Sequence, residues 1–212
     1  MNYDLDGLFK ITPEHVKEAC KVAGEAFVDD PVMVYSFPDE EERKKNSQYG
    51  FYMIYNYGIK YGLTYATTEN FEGITIWLPP DNVYPSTWQM MRYGGFYTMR
   101  RVGLKLKAMK RSIIVFKYEE ERHRALAPFD HWYFQNIAVK PEEQGKGYGS
   151  YLISTMLKTI ESDGLPVYVE TNTEKAMSIY QKHGFEVLEY TIIPETDIPL
   201  WCMLRKPNGI KR

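Results

Sequence analysis

The stretch Ile137-Ala138-Val139-Lys140-Pro141-Glu142-Glu143-Gln144-Gly145-Lys146-Gly147-Tyr148-Gly149-Ser150 passes from an apolar segment through a polar turn into a glycine-rich loop. Trp132 to Val139 reads as a strand. Leu152, Ile153, Met156, Leu157 and Ile160 then recur at the spacing of one helix face, so the loop hands a strand over to a helix. Glycines at that junction let backbone N–H groups wrap an anion such as a pyrophosphate. A nucleoside-triphosphate loop needs Ser or Thr directly after its Gly-Lys, whereas Lys146 is followed by Gly147. A dinucleotide fingerprint needs a glycine at its sixth place, where Ser150 stands, although Glu170 at a strand end imitates that motif's acidic residue. A tight glycine turn with no ligand is the other reading of the loop taken alone.

Downstream, Asp163 and Gly164 stop the helix, Pro166 to Thr171 reads as a second strand, and Thr173 to His183 as a short helix ended by Gly184. Phe185 to Ile192 and Leu200 to Leu204 are two closing strands joined by a turn containing Pro194, Asp197 and Pro199. A right-handed strand–helix–strand crossover followed by a hairpin implies a mixed sheet. Upstream, Thr12-Pro13 opens a helix marked by Val16, Ala19, Cys20, Ala23 and Phe27, and a loop from Asp29 carries Tyr35 and Phe37. Asp39 to Lys45 opens a second helix with Tyr49, Met53, Tyr57 and Tyr61, and Leu63 to Thr67 with Gly73 to Leu78 forms a hairpin. The fold class is α/β (α+β), with helices on both faces of the sheet.

Residues 85–124 read as helical, interrupted by Gly94 and Gly95, and form an insertion between an N-terminal part at 1–84 and a C-terminal part at 125–212. Between Arg92 and Arg111 the insertion holds seven basic residues and no acidic one, either a solvated helix face or a surface for an anionic ligand or lipid. Glu119, Glu120 and Glu121 follow closely.

At 212 residues the chain is expected to form a single domain, and 44% hydrophobic with 15% aromatic residues supplies a core and excludes disorder. A net charge of -2 offers no global field for nucleic acid or an anionic membrane. Cys20 and Cys202 make neither a disulfide framework nor a zinc site, so no metal and a reducing compartment are expected. The start of the chain lacks the basic and apolar runs of a signal peptide, and no stretch of 18 apolar residues occurs, so a cytoplasmic protein that neither spans nor binds a membrane is expected. Of four histidines, none is paired at ligand spacing; His131 reads as a satisfied strand-start residue and His123 as structural or exposed.

Gln144-Gly145-Lys146-Gly147-Tyr148-Gly149 resembles the Gln/Arg-x-x-Gly-x-Gly/Ala signature of the GCN5-related N-acetyltransferase (GNAT) family. Val167 to Glu170, then Ala176, Tyr180 and Gly184-Phe185, are similar to the pattern that follows it there. Within that family, Trp132 to Pro207 is similar to the closing half of the puromycin N-acetyltransferases, which does not carry an antibiotic acceptor with it. The resemblance implies a mostly antiparallel mixed sheet and direct acetyl transfer from acetyl-CoA to an amine of a small molecule. It implies that Gln144, Gly145, Lys146, Gly147, Tyr148, Gly149 and Ser150 hold the pyrophosphate, and that the pantetheine arm lies along Ile137, Ala138 and Val139 like an added strand. Asn172 would bond the pantetheine amides, Tyr180 would be the general acid, and Glu170 the base, with Asp30 a second choice for that role. From the residues alone, Tyr180 reads as a core tyrosine at helical spacing, and Glu170 is equally an ordinary exposed or hydrogen-bonded carboxylate. Phe27, Asp30, Tyr35 and Trp77 are candidate acceptor-binding residues, the aromatic ones equally explained by core packing. A homodimer through edge strands near the C-terminus is expected of the fold, and a non-catalytic CoA-binding regulatory module is the alternative function.

Overall fold

The computed structural model describes Leu5, residues 7–103 and residues 105–207. In chain order the elements are β1 (Phe9–Lys10), α1 (Val16–Ala26), α2 (Pro31–Ser36), α3 (Glu40–Tyr61), β2 (Leu63–Ala66), β3 (Gly73–Leu78), α4 (Thr87–Met90), α5 (Phe96–Val102) and α6 (Leu106–Leu126). They continue with β4 (Trp132–Val139), α7 (Tyr148–Ile160), β5 (Val167–Thr171), α8 (Glu174–Lys182), β6 (Glu186–Ile192) and β7 (Pro199–Arg205). The strands form one seven-stranded sheet in the order β1-β2-β3-β4-β5-β7-β6. Among the described residues only β4 and β5 run parallel, and every other pair is antiparallel.

Alternation along the strands divides the core. On β3, Ile74, Ile76 and Leu78 turn to α1 and α3 and join Ala19, Val22, Phe51 and Tyr55 in one buried cluster, while Trp77 turns the other way. On β5, Val167 and Val169 pack under α7 with Ile153, Met156 and Leu157, and Tyr168 faces the opposite layer with Val115 of α6 and Val32 of α2. Helix α6 therefore packs on the sheet face that α1 and α3 also cover, beside β5 and β7.

Two elements differ from the sequence reading. Residues 31–36, read as loop, form α2: Asp30 is its N-cap, accepting a hydrogen bond from Val32 N at 2.9 Å, and Pro31 is its first residue. Strand β1 was not anticipated, since two residues pairing with β2 leave no periodicity to read. The loop before α2 and its exit are fixed by Arg43 of α3, a buried guanidinium whose Nε donates to Val28 O at 2.6 Å and whose Nη1 donates to Phe37 O at 3.0 Å. Around Gly94 the helical run breaks, with that residue at φ 149°, so α4 and α5 are separate short helices, as the paired glycines suggested.

Candidate active site

Strands β4 and β5 pair at only two positions, Trp132 with Val167 and Tyr133 with Tyr168. Beyond Tyr133, β4 remains bonded to β3 as far as Val139 opposite Gly73, and β5 remains bonded to β7 as far as Thr171 opposite Trp201. The sheet thus opens along its middle, and the β5-facing edge of β4 over Ile137, Ala138 and Val139 is left without a strand beside it. Unpaired main-chain donors and acceptors on such an edge accept an extended ligand as they would another strand.

The glycine-rich loop closes the wide end of that opening. Gly145 and Gly147 adopt φ 82° and 93°, a left-handed conformation that side chains resist, and a Cβ built at either would meet nothing within 4 Å. Gly147 is also the N-cap of α7 and lacks a capping side chain, so the first-turn N–H groups of Tyr148, Gly149 and Ser150 have no side-chain acceptor from it. Gly149 lies against Val139 and Ile137, its Cβ position 3.6 Å from Val139 Cγ2, which holds the helix start close to the free edge of β4. Gln144 spans loop and flank: its Nε2 donates to Val139 O at 3.4 Å, and its Oε1 accepts from Lys175 Nζ at 3.1 Å. The Lys146 ammonium is exposed and pairs with Glu143 at 2.9 Å. An anion at the start of α7 would meet N–H groups and the positive end of a helix dipole, so the residues present fit a pyrophosphate.

Glu170 stands at the C-terminal end of β5, past the last position paired with β4. Its Oε2 accepts from Tyr133 Oη and its Oε1 from Tyr168 Oη, both at 3.0 Å. Burial raises the carboxyl to about 7, against the opposing effect of the two phenol hydrogen bonds. A carboxylate poised there is half ionised at neutral pH, the condition that suits a general base.

Asp30 faces the same region from α2, and burial raises it to about 6. Tyr180 projects from α8 on the other face of the sheet, with its ring edge-on to Phe134 at 5.3 Å. The side chain is 7% exposed. Burial first, and then the charge of Asp30, hold its phenol well above the ordinary value, so it keeps its proton throughout the working pH range.

Asn172 sends its amide to Pro199 O at 3.0 Å and Glu119 Oε1 at 3.3 Å. Phe27 is partly exposed and packs against Phe51, with ring centroids 5.4 Å apart. Tyr35 is also partly exposed, under the guanidinium of Arg111. Trp77 is fully buried, stacked on Phe134 at 4.2 Å with its indole N–H donated to Thr75, and serves the core beneath the site instead of walling it.

The sequence reading missed two further features. Glu119 of α6, passed over as part of an acidic run, enters the site; burial and then the charge of Glu170 hold it well above the carboxylate range. A signal existed: Glu119 lies four residues from each of Val115 and His123, on the buried stripe of α6.

The second is a histidine pair. His123 and His131, read as unpaired, are buried with their Nε2 atoms 2.7 Å apart. His131 Nδ1 lies 2.6 Å from Phe129 O, which can only accept, so Nδ1 of His131 carries the proton and its Nε2 accepts from His123. Burial lowers His123 to about 3 and lowers His131 as well, so both rings are neutral. The His123 ring stacks on Tyr168 at 4.2 Å and lies 4.5 Å from Tyr133, backing the two tyrosines that hold Glu170. Among the described residues no group of His, Cys, Asp and Glu has the arrangement of a metal site. Among them, too, no helix is long and apolar enough to cross a membrane.

Comparison with known proteins bears on this geometry. The acetyltransferase (GNAT) domain family matches residues 111–187, from within α6 to the start of β6. Over 211 residues the chain is 28% identical to an uncharacterized N-acetyltransferase of Schizosaccharomyces pombe, a match covering 94% of this chain and 83% of that protein. The structure resembles a Corynebacterium glutamicum crystal structure described as histone acetyltransferase HPA2 and related acetyltransferase, with TM-score 0.64, 18% identity and 97% and 98% of the two chains covered. It also resembles arylalkylamine N-acetyltransferase 2 of Aedes aegypti, with TM-score 0.59, 10% identity and 95% and 98% covered. At these identities the two structures speak for the fold.

Proposed function

We propose that this chain, whose residues 111–187 match the acetyltransferase (GNAT) domain family and which is 28% identical to an uncharacterized N-acetyltransferase, is an acetyltransferase of that kind and transfers the acetyl group of acetyl-CoA directly to an amine of a small molecule. The observation that carries the proposal is the position of Glu170. It is a carboxylate raised to about 7 and held by two tyrosines where β4 and β5 part, across the opening from a free strand edge and an uncapped helix start.

In this reading the main chain binds the donor. Backbone N–H groups of 144–149 and the start of α7 at Ser150 take the pyrophosphate, and Ile137, Ala138 and Val139 take the pantetheine amides along their open edge. A β4 N–H there polarises the thioester carbonyl. The acceptor arrives as an ammonium, whose pKa near 10.4 leaves almost no nucleophile at neutral pH. Glu170 removes one proton, directly or through a water, and the amine nitrogen attacks the carbonyl carbon. The nitrogen, cationic after attack, loses its second proton to solvent, and the C–S bond breaks as the tetrahedral intermediate collapses to the neutral amide. Tyr180 gives its proton to the departing thiolate and is reprotonated from solvent. The high phenol pKa keeps that proton in place until sulfur carries charge.

The test is isothermal titration with acetyl-CoA, then thiol release against a panel of amines, for the wild type and Tyr180→Phe. We expect unchanged acetyl-CoA affinity in the variant and thiol release slower by about a hundredfold or more, the range of a lost general acid. Equal rates would remove Tyr180 from the mechanism. Binding with no release against any amine would support the non-catalytic CoA-binding module instead.

A further inference from the structure

Helix α6 brings a second carboxylate to the acceptor side, and the geometry fixes where. Residues 168, 170 and 172 alternate onto one face of β5 and its continuation. On that face Tyr168 bonds Glu170, and Asn172 Nδ2 donates to Glu119 Oε1 at 3.3 Å while anchored to Pro199 O. The Glu119 carboxylate is therefore held beside Glu170, on a residue that is only partly exposed. Asp30 acts on it from α2, and Tyr133 of β4 lies within the field of both glutamates. The cations nearest on α6 turn elsewhere, Arg122 to Glu189 and Arg124 to Glu120, and His123 is neutral.

A separate observation says that this acidic corner awaits a ligand. Tyr180, nine-tenths buried and within the field of Asp30, has no hydrogen-bond partner for its hydroxyl among the described residues, yet that oxygen is not among the sealed, unsatisfied polar atoms. That hydroxyl borders the opening from the α8 side of the sheet, within the field of Asp30.

We propose that Glu119 determines acceptor specificity: together with Glu170 and Asp30 it receives the ammonium of an amine that carries no carboxylate beside its nitrogen, and it turns away α-amino acids. The inference rests on the acetyltransferase reading and deepens it by naming the acceptor class. Two adjacent carboxylates largely withdrawn from water cannot both ionise without a cation, so the empty pair retains a proton. An incoming ammonium supplies the charge and displaces that proton to solvent; Glu170 later accepts the proton removed from the amine. An α-carboxylate in the same place would set a third like charge against the pair.

The experiment is isothermal titration of the full chain with two matched pairs, tyramine against tyrosine and phenethylamine against phenylalanine. It is run below the Glu170 midpoint, in buffers of different ionisation enthalpy, for wild type, Glu119→Gln and Glu119→Asp. Circular dichroism and acetyl-CoA affinity check each fold. We expect at least one amine to bind the wild type at least about tenfold tighter than its amino acid, because like charges set side by side repel, with a proton released on binding. Glu119→Gln should bring that ratio to within about threefold and abolish the proton release, and Glu119→Asp should restore part of both. Equal binding of amine and amino acid, no binding of either amine, or a ratio unmoved by Glu119→Gln would overturn the inference. Discrimination without thiol release would leave it standing and overturn the acetyltransferase reading, whereas thiol release without discrimination would do the reverse.

Discussion

In the proposed mechanism the donor and acceptor sides of the cleft are built from different materials. The donor side is main chain: two glycines at positive φ, a helix start without a capping side chain, and one open strand edge, all within residues 137–150. The acceptor side is made of side chains from five elements, with Asp30 before α2, Glu119 on α6, Tyr133 on β4, Glu170 on β5 and Tyr180 on α8. A main-chain site needs particular residue types in a particular order, so it can be written into one short motif. A side-chain site needs only that distant segments converge, and convergence is a property of packing.

The contrast can be broken most sharply at Glu170. Glu170→Gln should lower kcat/KM for the amine by about two to four orders of magnitude, the range for a lost general base, and leave acetyl-CoA affinity unchanged. A parallel loss of acetyl-CoA binding would show that the two sides are not separable. In the wild type, kcat/KM should rise with pH through a midpoint near 7, because the active form of Glu170 is ionised, and the variant should lose that inflection.

The same substitution makes a stability prediction of opposite sign. Glu170 titrates at about 7 in the folded chain against an ordinary 4.5, so its contribution to stability is full below about 4.5 and is lost as pH rises to about 7. Glu170→Gln removes a charge that is buried at alkaline pH, and at pH 8 the variant should be more stable by on the order of 2 kcal/mol. Thermal melting at pH 8 and pH 4 checks this, and a variant that melts lower at both would refute it.

A smaller effect is expected at Arg43, which touches neither side but holds the ends of the loop that presents Asp30. Arg43→Met leaves Val28 O and Phe37 O without their donor. It should cost about 2 kcal/mol of stability and raise the acceptor KM severalfold, with acetyl-CoA affinity hardly moved. Equal rises in both constants would mean that the loop serves the donor as well.

The smallest effect on stability falls on the donor side. Gly147→Ala puts a Cβ where φ is 93° and no neighbour lies within 4 Å, so the penalty is conformational alone, about 1–2 kcal/mol for the left-handed region. Acetyl-CoA should bind about tenfold more weakly, with kcat at saturation retained. A loss of kcat at full occupancy would place the loop in the chemistry.

What could be read from the sequence follows the same division. The glycine loop, the strands on either side of it and the apolar face of α7 were legible because each is a local pattern, and the structure has β4 at Trp132–Val139 and α7 from Tyr148. The strand order was not, since β7 enters between β5 and β6 and nothing in the order of the chain says so. Helix α2 was missed although Asp30-Pro31 is a sound helix start, because six residues give too little periodicity to outweigh the prolines around them. His123 and His131 meet across the turn between α6 and β4, a contact no spacing rule describes. Glu119 was hidden among charged neighbours that lie on the exposed side of the same helix.

The early parting of β4 and β5 makes the sheet two half-sheets, β1-β2-β3-β4 and β5-β7-β6, stitched by two residue pairs. If the pantetheine arm lies in that gap as a strand would, the donor is a removable part of the architecture. Loading it mends the sheet across its midline and shields amides of β4 from exchange with solvent. Releasing the spent thiol reopens a seam down the centre of the molecule, so each catalytic cycle would tighten and relax the protein along one line.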